Sequence, residues 1–304
     1  MTSNKLRNTR KCLTRHLSLV TKMTTDDGQL TKEIVQQARH FNELKKTVKS
    51  LIDALGLGAR EHVALVGGGG KTTLMFALAE ELRLKGTRVI ASTTTKVRHR
   101  EALQYEKVLL VEDDADWRNK AREGLSQERT VFVGGSLLDS GKVEGISASL
   151  ADAVFQDSKV HYLVVEADGS AGHPLKAPAE HEPVLPSSVT MVVAVMGLEA
   201  MGARLDEATA FRVEQVRKVT GLEPGSVLTP RALARIFLHP SGLFKGTPDV
   251  ARRVVFLNKG DLIEEVTKAE ELADIVLADP AKTIDRVILG SLKQGIYQIF
   301  SNPS

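Results

Sequence analysis

A run of four glycines followed by one lysine and two threonines has the residue types and spacing to bind a phosphate group. The run consists of Gly67, Gly68, Gly69, Gly70, Lys71, Thr72 and Thr73. N–H groups at the start of a helix lack acceptors within the helix, and the helix dipole adds positive partial charge there. Glycine has no Cβ, so these four amides can approach an oxyanion closely. We predict a nucleotide site, with Lys71 on the β- and γ-phosphates and Thr72 on Mg²⁺.

This loop is shorter than the usual phosphate-binding loop. The usual pattern has a glycine five positions before its last one, and here Leu65 stands at that position. The G-x-x-G-K-T form that remains is similar to the loop of the Mur ligases of peptidoglycan synthesis, which bind ATP. The loop therefore predicts a nucleotide phosphate but fixes neither the base nor the reaction.

Two carboxylates follow a second apolar run, in the segment HYLVVEADGSAG. Glu166 and Asp168 come directly after the four apolar residues. A phosphate and Mg²⁺ site needs a carboxylate at the end of a neighbouring strand, to hold the metal or to orient an attacking water. We therefore predict Lys71, Glu166 and Asp168 as catalytic residues. Thr72, Glu166 and Asp168 are the predicted Mg²⁺ ligands, and either carboxylate suits the metal.

The segment FLNKGDL places Asn258, Lys259 and Asp261 after a third apolar run. This is the N-K-x-D pattern of GTPases. One carboxylate accepts both N–H donors on the edge of guanine, whereas adenine presents an acceptor there and leaves a buried carboxylate unpaired. These three residues are predicted to bind the base, which favours GTP and keeps ATP as the alternative.

Two further segments have polar residues where a second ligand or a switch is plausible. Ser92–Val97 (STTTKV) ends the second predicted strand and is either a second ligand site or switch, or a hydroxyl-rich turn. The long loop 168–188 contains His173, Lys176, His181 and Glu182 among several prolines. Its histidine spacing matches no standard zinc pattern. We interpret it as a lid that responds to the nucleotide, the alternative being a packed surface loop.

The elements that must position these residues alternate between apolar runs and helical stretches. Runs such as TMVVAVMG and RVVFLN lack polar alternation, which is typical of strands buried on both faces of a parallel sheet. The sequence therefore predicts a doubly wound, mostly parallel α/β fold. Predicted strands are Val63–Val66, Arg88–Ser92, Lys107–Val111, Thr130–Val133, His161–Glu166, Val189–Met196, Arg253–Leu257 and Ile284–Leu289. Predicted helices are Thr72–Lys85, Ser147–Phe155, Glu207–Val219, Pro230–Phe237 and Glu264–Leu277.

The chain of 304 residues divides into a basic leader and a larger remainder. Residues 1–30 are expected to form a disordered leader, and residues 31–304 a single domain that starts with a helical segment at 31–58 and carries the functional loop 168–188. Six basic residues and no acid precede Met23, and subtracting them from the net charge of +3 leaves −3 for the rest. The folded part is therefore no basic nucleic-acid surface, and no apolar run is long enough to span a membrane.

The motifs together resemble the YqeC-type proteins, which are accessory or selenium-cofactor biosynthesis proteins of selenium-dependent molybdenum hydroxylases. The resemblance rests on VGGGGKTTLMFALAEEL, STTTK, VVEADGSAGHPLKAPAEHEPVLP, GLEAMGARLDE and NKGD, and it runs from about residue 51 to about residue 292. It implies a cytoplasmic P-loop protein that helps to mature such a hydroxylase or its cofactor. Cys12 lies outside the matched region, which makes it a poor candidate for a selenium carrier.

Three functions fit these motifs. The first is Mg²⁺-dependent hydrolysis of a nucleoside triphosphate, coupled to loading or remodelling a client molybdenum hydroxylase. The second is an ATP-dependent ligase or kinase that acts on a molybdopterin or selenium precursor, which the short loop favours and the Asn-Lys-Gly-Asp segment opposes. The third is a scaffold that binds a nucleotide without hydrolysing it.

Overall fold

A computed structural model describes residues 46–302 of the chain. The predicted leader 1–30, Cys12 and the part of the predicted helical segment that ends at residue 45 lie outside these described residues. Within residues 46–302, no helix combines the length and apolar character needed to cross a bilayer.

The described residues contain strands and helices in alternation. The strands are β1 (Lys46–Val48), β2 (Glu61–Gly67), β3 (Val89–Thr93), β4 (Val97–Arg98), β5 (Val108–Leu110), β6 (Thr130–Gly134), β7 (Lys142–Val143), β8 (Tyr162–Glu166), β9 (Leu175–Lys176), β10 (Met191–Gly197), β11 (Ala210–Phe211), β12 (Arg252–Asn258), β13 (Arg286–Ser291) and β14 (Ile296–Ser301). The helices are α1 (Leu51–Leu55), α2 (Lys71–Leu84), α3 (His99–Ala102), α4 (Trp117–Gln127), α5 (Ala148–Gln156), α6 (Val213–Thr220), α7 (Pro230–Leu238) and α8 (Val266–Leu277).

Ten of these strands form one sheet in the order β1-β14-β13-β12-β10-β2-β8-β3-β6-β5. All neighbours from β13 to β5 pair in parallel, and β14 pairs antiparallel with β13 and β1. Strand β2 lies near the centre, between β10 and β8. This topology confirms the predicted doubly wound, mostly parallel α/β fold.

Apolar side chains cover both faces of the sheet, as the uninterrupted apolar runs predict. On β2, Val63 and Leu65 pack against α1 and α2, whereas Ala64 and Val66 face the opposite side, which is covered by α6, α7 and α8. Helices α4 and α5 cover the neighbouring part of that second face. Because the central strands are buried on both faces, their polar residues are confined to the strand ends.

The carboxyl ends of the central parallel strands meet at one edge, where the predicted site residues lie. Strand β2 ends at Gly67, β8 at Glu166, β10 at Gly197 and β12 at Asn258. In open α/β sheets ligands bind in the crevice outside these ends. The fold therefore brings the glycine run, the carboxylates and the Asn-Lys-Gly-Asp segment to the same edge.

The helical segment predicted at residues 31–58 is helical only in part among its described residues. Lys46–Val48 is a strand that pairs antiparallel with β14, and only Leu51–Leu55 is helical. The Ser50 hydroxyl accepts from the N–H of Asp53 to start this helix, and Gly56 ends it in a left-handed conformation. Strand pairing with a residue some 250 positions away leaves no local signature, so the apolar spacing alone suggested a helix.

The helix predicted from Glu207 begins instead at Val213. Asp206 accepts hydrogen bonds from the N–H groups of Ala208 and Thr209 and forms a turn there. Arg212 then adopts a φ of 62°, which is incompatible with a helix, immediately before α6. Strand β14, which the sequence analysis did not predict, completes the antiparallel edge.

A buried histidine on β2 gives the strand that leads into the glycine run a pH-dependent stability. His62 is completely buried and its Nδ1 lies 2.8 Å from the Ser188 hydroxyl, which donates to Asp152 at 2.7 Å. Burial lowers the pKa of His62 to about 4, and the nearby Asp152 offsets only part of this effect. In the unfolded chain the imidazole has its ordinary pKa of 6.5.

Between pH 6.5 and 4 the unfolded chain binds a proton at His62 that the folded chain does not bind. We therefore predict that lowering the pH from 7 to 4 costs about 3 kcal/mol of unfolding free energy through this residue. Urea unfolding of the wild type and of His62→Gln across this range measures the effect as the difference between the two pH profiles. Parallel profiles would show that His62 does not titrate as the structure indicates.

Candidate functional site

The glycine run forms a tight turn between β2 and α2. Gly67, Gly69 and Gly70 have φ values of 98°, 74° and 130°, which side-chain-bearing residues rarely adopt. The N–H of Gly67 donates to both Asp168 oxygens, at 3.1 and 3.0 Å, and that of Gly69 donates to the carbonyl of His173 at 2.9 Å. The turn is thus anchored to the segment that follows β8.

Each glycine of the run lies against other parts of the protein. A Cβ on Gly67 would lie 2.2 Å from the Val195 carbonyl oxygen, and one on Gly69 would lie 2.1 Å from the Gly197 nitrogen. The corresponding Cβ distances are 2.5 Å to the His173 carbonyl oxygen for Gly68 and 2.5 Å to Asn258 Nδ2 for Gly70. The sequence analysis attributed these glycines to the approach of an anion. In the structure, the close packing of the turn against its own surroundings already requires them.

The unpaired N–H groups are those of residues 70–73, three residues further along the chain than the predicted amides of residues 67–70. Those of Gly67, Gly68 and Gly69 donate to Asp168, the Val195 carbonyl and the His173 carbonyl, respectively. The N–H groups of residues 70–73 find no acceptor within residues 46–302, and the first helical bond of α2 runs from Leu74 to Gly70. Four free amides at one helix end, where the dipole is positive, form an anion-binding site.

Lys71 is buried at the mouth of this turn, with 2% of its surface exposed. Its Nζ lies 2.6 Å from the Gly67 carbonyl oxygen, 3.2 Å from Asp168 Oδ1 and 3.5 Å from Glu166 Oε1. Burial alone would lower the pKa of Lys71, but Asp168 and Glu166 outweigh it and raise the pKa above its ordinary value. Lys71 therefore carries its positive charge beside the free amides.

Thr72 and Glu166 lie together at the start of α2. The Thr72 hydroxyl donates to Glu166 Oε2 at 2.9 Å. Burial raises the pKa of Glu166, and the opposing effects of Lys71 and Thr72 are smaller. A hydroxyl and a carboxylate oxygen are hard donors of the kind that Mg²⁺ prefers, so these residues fit the predicted metal.

Asp168 has two lysine partners, one of which the sequence analysis did not assign to it. Its side chain is fully buried, and its Oδ2 lies 3.1 Å from the Nζ of Lys176. Lys176 also pairs with Glu182 at 2.7 Å, and Glu182 pairs with Arg212. Burial alone would raise the pKa of Glu182, but hydrogen bonds and charge from Lys176 lower it to about 2. The site therefore continues as a chain of ion pairs within loop 168–188 that ends at Arg212.

The Asn-Lys-Gly-Asp segment contacts the glycine turn directly. Asn258 Nδ2 donates to the Gly69 carbonyl at 2.9 Å, and the N–H of Leu292 donates to Asn258 Oδ1 at 3.2 Å. The Ser291 hydroxyl hydrogen-bonds to Asp261 and lowers the pKa of this half-exposed carboxyl. Lys259 has a φ of 64° and pairs with Glu199. Asn258 thus joins the loop after β13 to the phosphate turn.

The threonines at the carboxyl end of β3 have protein partners. The Thr93 hydroxyl donates to the Glu166 carbonyl at 3.0 Å, and the Thr94 hydroxyl donates to the Val184 carbonyl at 2.8 Å. These contacts favour the turn interpretation of residues 92–97, because Thr93 bonds to the end of β8 and Thr94 ties loop 168–188 to the sheet. Within residues 46–302, no three His, Cys, Asp or Glu side chains are grouped as metal ligands, and His181 is exposed.

The parallel sheet, the glycine turn at its centre and the helix that follows define a P-loop NTPase-like α/β protein. The family model described as YqeC protein matches residues 63–214. The protein YqeC of Escherichia coli (strain K12) is 35% identical over 232 residues, which cover 74% of this chain and 89% of that protein. The chain belongs to the YqeC family, as the resemblance of its motifs predicted.

Solved structures are similar at a lower level. The chloroplast FtsY of Physcomitrella patens has 14% identity and a TM-score of 0.40, over 91% of this chain and 75% of that chain. The HypB of Helicobacter pylori, solved in complex with nickel, has 12% identity and a TM-score of 0.37, over 78% of this chain and 81% of that chain. Similarity at this level is confined to the general fold.

Substituting a single glycine tests whether close packing shapes the turn. Gly69→Ala places a methyl group against the Gly197 backbone, whereas Gly86→Ala, at a φ of 78°, meets nothing within 4 Å. We predict that Gly86→Ala costs about 1–2 kcal/mol of unfolding free energy from its backbone conformation. Gly69→Ala adds the clash and should cost upwards of about 3 kcal/mol. Urea unfolding of both variants checks this, and equal losses would refute the packing argument.

Proposed function

We propose that this protein binds and hydrolyses a nucleoside triphosphate with Mg²⁺, preferring GTP, as an accessory protein in the maturation of a selenium-dependent molybdenum hydroxylase. The observation that supports this most directly is the start of α2. There, four N–H groups without acceptors in the described chain lie beside Lys71, Thr72, Glu166 and Asp168. A Mg²⁺-bound phosphate chain is bound by positive charge and N–H donors at the phosphate oxygens and by hard oxygen ligands at the metal.

The roles of the residues follow from their positions. The amides of residues 70–73 and the Lys71 ammonium would bind phosphate oxygens and stabilise charge on the transferring group. Thr72, with Glu166 or Asp168, would hold Mg²⁺, which would neutralise the phosphate oxygens. The remaining carboxylate would orient the attacking water. Gly67, Gly68 and Gly69 would act by shaping the turn, since the chain itself uses their amides.

The preference for GTP rests on the Asn-Lys-Gly-Asp segment. Asp261 carries a carboxyl whose pKa is lowered by the Ser291 hydroxyl, so it is a charged acceptor for the N–H donors of guanine. Asn258 holds this segment against the glycine turn, so base and phosphates would be bound in a fixed relation. ATP remains the alternative, because the short loop is similar to that of ATP-dependent ligases.

The client assignment comes from the family. The resemblance to YqeC-type proteins implies a selenium-dependent molybdenum hydroxylase or its cofactor as the partner. An accessory NTPase of this kind would hydrolyse slowly alone, and no arginine contacts Lys71, Glu166 or Asp168 among the described residues. Arg98 and Arg100 follow the threonine run and are the nearest arginines in sequence to it.

A ligase or kinase that acts on a cofactor precursor is the second candidate, and the short G-x-x-G-K-T loop favours it. The two functions differ in their products. Mass spectrometry of molybdopterin or selenite incubated with the protein, nucleotide and Mg²⁺ would reveal a phosphorylated or ligated species only for the second.

The choice of nucleotide is testable by thermal unfolding with GTP, ATP or CTP in the presence of Mg²⁺. We predict that GTP raises the melting temperature most, because Asp261 would accept the N–H donors of guanine. A ligand present at about 100 times its Kd stabilises the native state by about 2.7 kcal/mol. Lys71→Ala should abolish the shift. Asp261→Ala should reduce the GTP shift and spare any ATP shift, while Asp249→Ala, at an exposed loop residue, should change neither. A shift with ATP alone would overturn the guanine preference.

The dependence on a partner is testable by phosphate release. We predict slow turnover of the isolated protein and a rise of roughly 100-fold or more when the client hydroxylase is added, since a supplied cation such as an arginine has effects of this size or larger. Asp168→Asn should abolish the stimulated rate. Equal, fast rates with and without the client would remove the partner requirement. No turnover above background, despite binding, would leave a nucleotide-binding scaffold.

A further inference from the structure

We propose that Lys176 is a positioning residue of the phosphate site. It is the counter-ion that remains with the buried Asp168 and holds it in place when Lys71 moves from Asp168 to a phosphate group. This inference rests on the nucleotide site proposed above. It assigns to loop 168–188 an electrostatic task within the site, in addition to any contact that the loop makes with a partner.

Lys176 is an unusual lysine because none of its surface is exposed. Lysine is almost never fully buried unless its charge is paired. Here Nζ lies 3.1 Å from Asp168 Oδ2, 2.7 Å from Glu182 Oε2 and 2.7 Å from the Gly169 carbonyl oxygen. The ammonium group thus donates two hydrogen bonds and forms ion pairs with two carboxylates. The Lys176 ammonium group is therefore held in one position by its partners.

Asp168 forms an ion pair with each of two lysines. Lys71 Nζ lies 3.2 Å from Oδ1, and Lys176 Nζ lies 3.1 Å from Oδ2. The N–H of Gly67 donates to both oxygens. When Lys71 turns to a phosphate, Asp168 loses one of its two cations. A fully buried carboxylate without any cation is strongly unfavourable. The second lysine therefore lowers the free-energy cost of moving Lys71 away from Asp168.

Lys176 itself is held so that it does not follow Lys71. It lies on β9, which pairs with β11 at Ala210–Phe211. Its other partner, Glu182, accepts from the N–H of Ala179 and pairs with Arg212. Lys71, by contrast, begins α2 next to the free amides of the phosphate site. Of the two cations at Asp168, one is therefore fixed and the other lies where a phosphate would bind.

Removing the fixed cation should keep the mobile one in place. In Lys176→Met, Lys71 is the remaining lysine at Asp168, and its transfer to a phosphate would strand the buried carboxylate. The fraction of molecules able to bind phosphate then falls, and the apparent affinity falls by the same factor. In an Asp168→Asn background there is no carboxylate to strand, so removing Lys176 should have little effect.

The experiment measures binding of the N-methylanthraniloyl derivatives of the β,γ-imido analogues of GTP and ATP, with Mg²⁺. We expect Lys176→Met to raise the Kd by roughly tenfold or more. In the Asp168→Asn background the same substitution should change the Kd by less than roughly twofold. The matched control is Lys245→Met. It removes a lysine that donates to the Ala179 and Glu180 carbonyls of the same loop, and the Kd should stay within roughly twofold of wild type.

Failure of the inference differs from failure of the proposed function. If the wild type binds neither analogue, the nucleotide site itself is wrong and this inference falls with it. If the wild type binds but Lys176→Met binds equally well, or loses the same factor in both backgrounds, Lys176 is not coupled to Asp168 and only the inference is overturned. A loss in Lys245→Met equal to that in Lys176→Met would attribute the effect to the loop as a whole and would overturn it too.

A folding defect in Lys176→Met does not remove the test. Near-ultraviolet circular dichroism identifies such a defect. The comparison then uses the single variant Asp168→Asn and the double variant that also carries Lys176→Met. The double variant removes the carboxylate and the cation together. Equal affinities of these two proteins support the inference, and a further loss in the double variant contradicts it.

Discussion

The buried carboxylate of Asp168 is the point at which three parts of the chain are held together. It accepts a hydrogen bond from Gly67 at the end of β2 and forms ion pairs with Lys71 at the start of α2 and Lys176 on β9. A charge without solvent must be neutralised by partners of good geometry, because its desolvation would otherwise cost several kcal/mol. The conformation of the glycine turn is therefore set by its hydrogen bonds to the buried Asp168 carboxylate as well as by packing.

This constraint explains how a short loop can still serve a phosphate site. The amides of Gly67, Gly68 and Gly69 are bonded to the protein, so the turn has one conformation before any ligand arrives. The donors left over are those of the first turn of α2, whose directions are fixed by the helix. Preorganised donors lose little freedom on binding and need little rearrangement. A loop that wraps less of the phosphate chain can compensate by being rigid.

Much of this arrangement follows from local sequence. Uninterrupted apolar runs indicated the strands of the parallel sheet, and polar residues directly after those runs indicated the edge at which Glu166, Asp168 and Asn258 meet. Strands β1 and β14 were not predicted from the sequence. They pair with each other although they lie some 250 residues apart in the chain. For loop 168–188 only a general function was predictable, although a lysine flanked by Leu175 and Ala177 is a signal of a buried charge.

The same distinction applies inside the site, where side-chain types were predictable and their pairings were not. Asn258 was assigned to the base from its motif, yet its side chain bridges the Gly69 carbonyl and the Leu292 N–H. Gly69 in turn donates to His173, in the loop that contains Lys176. Base segment, phosphate turn and loop 168–188 are thus connected by direct hydrogen bonds. A ligand that displaces Lys71 would alter the charge balance at Asp168, and loop 168–188 is the segment whose ion pairs adjoin that carboxylate.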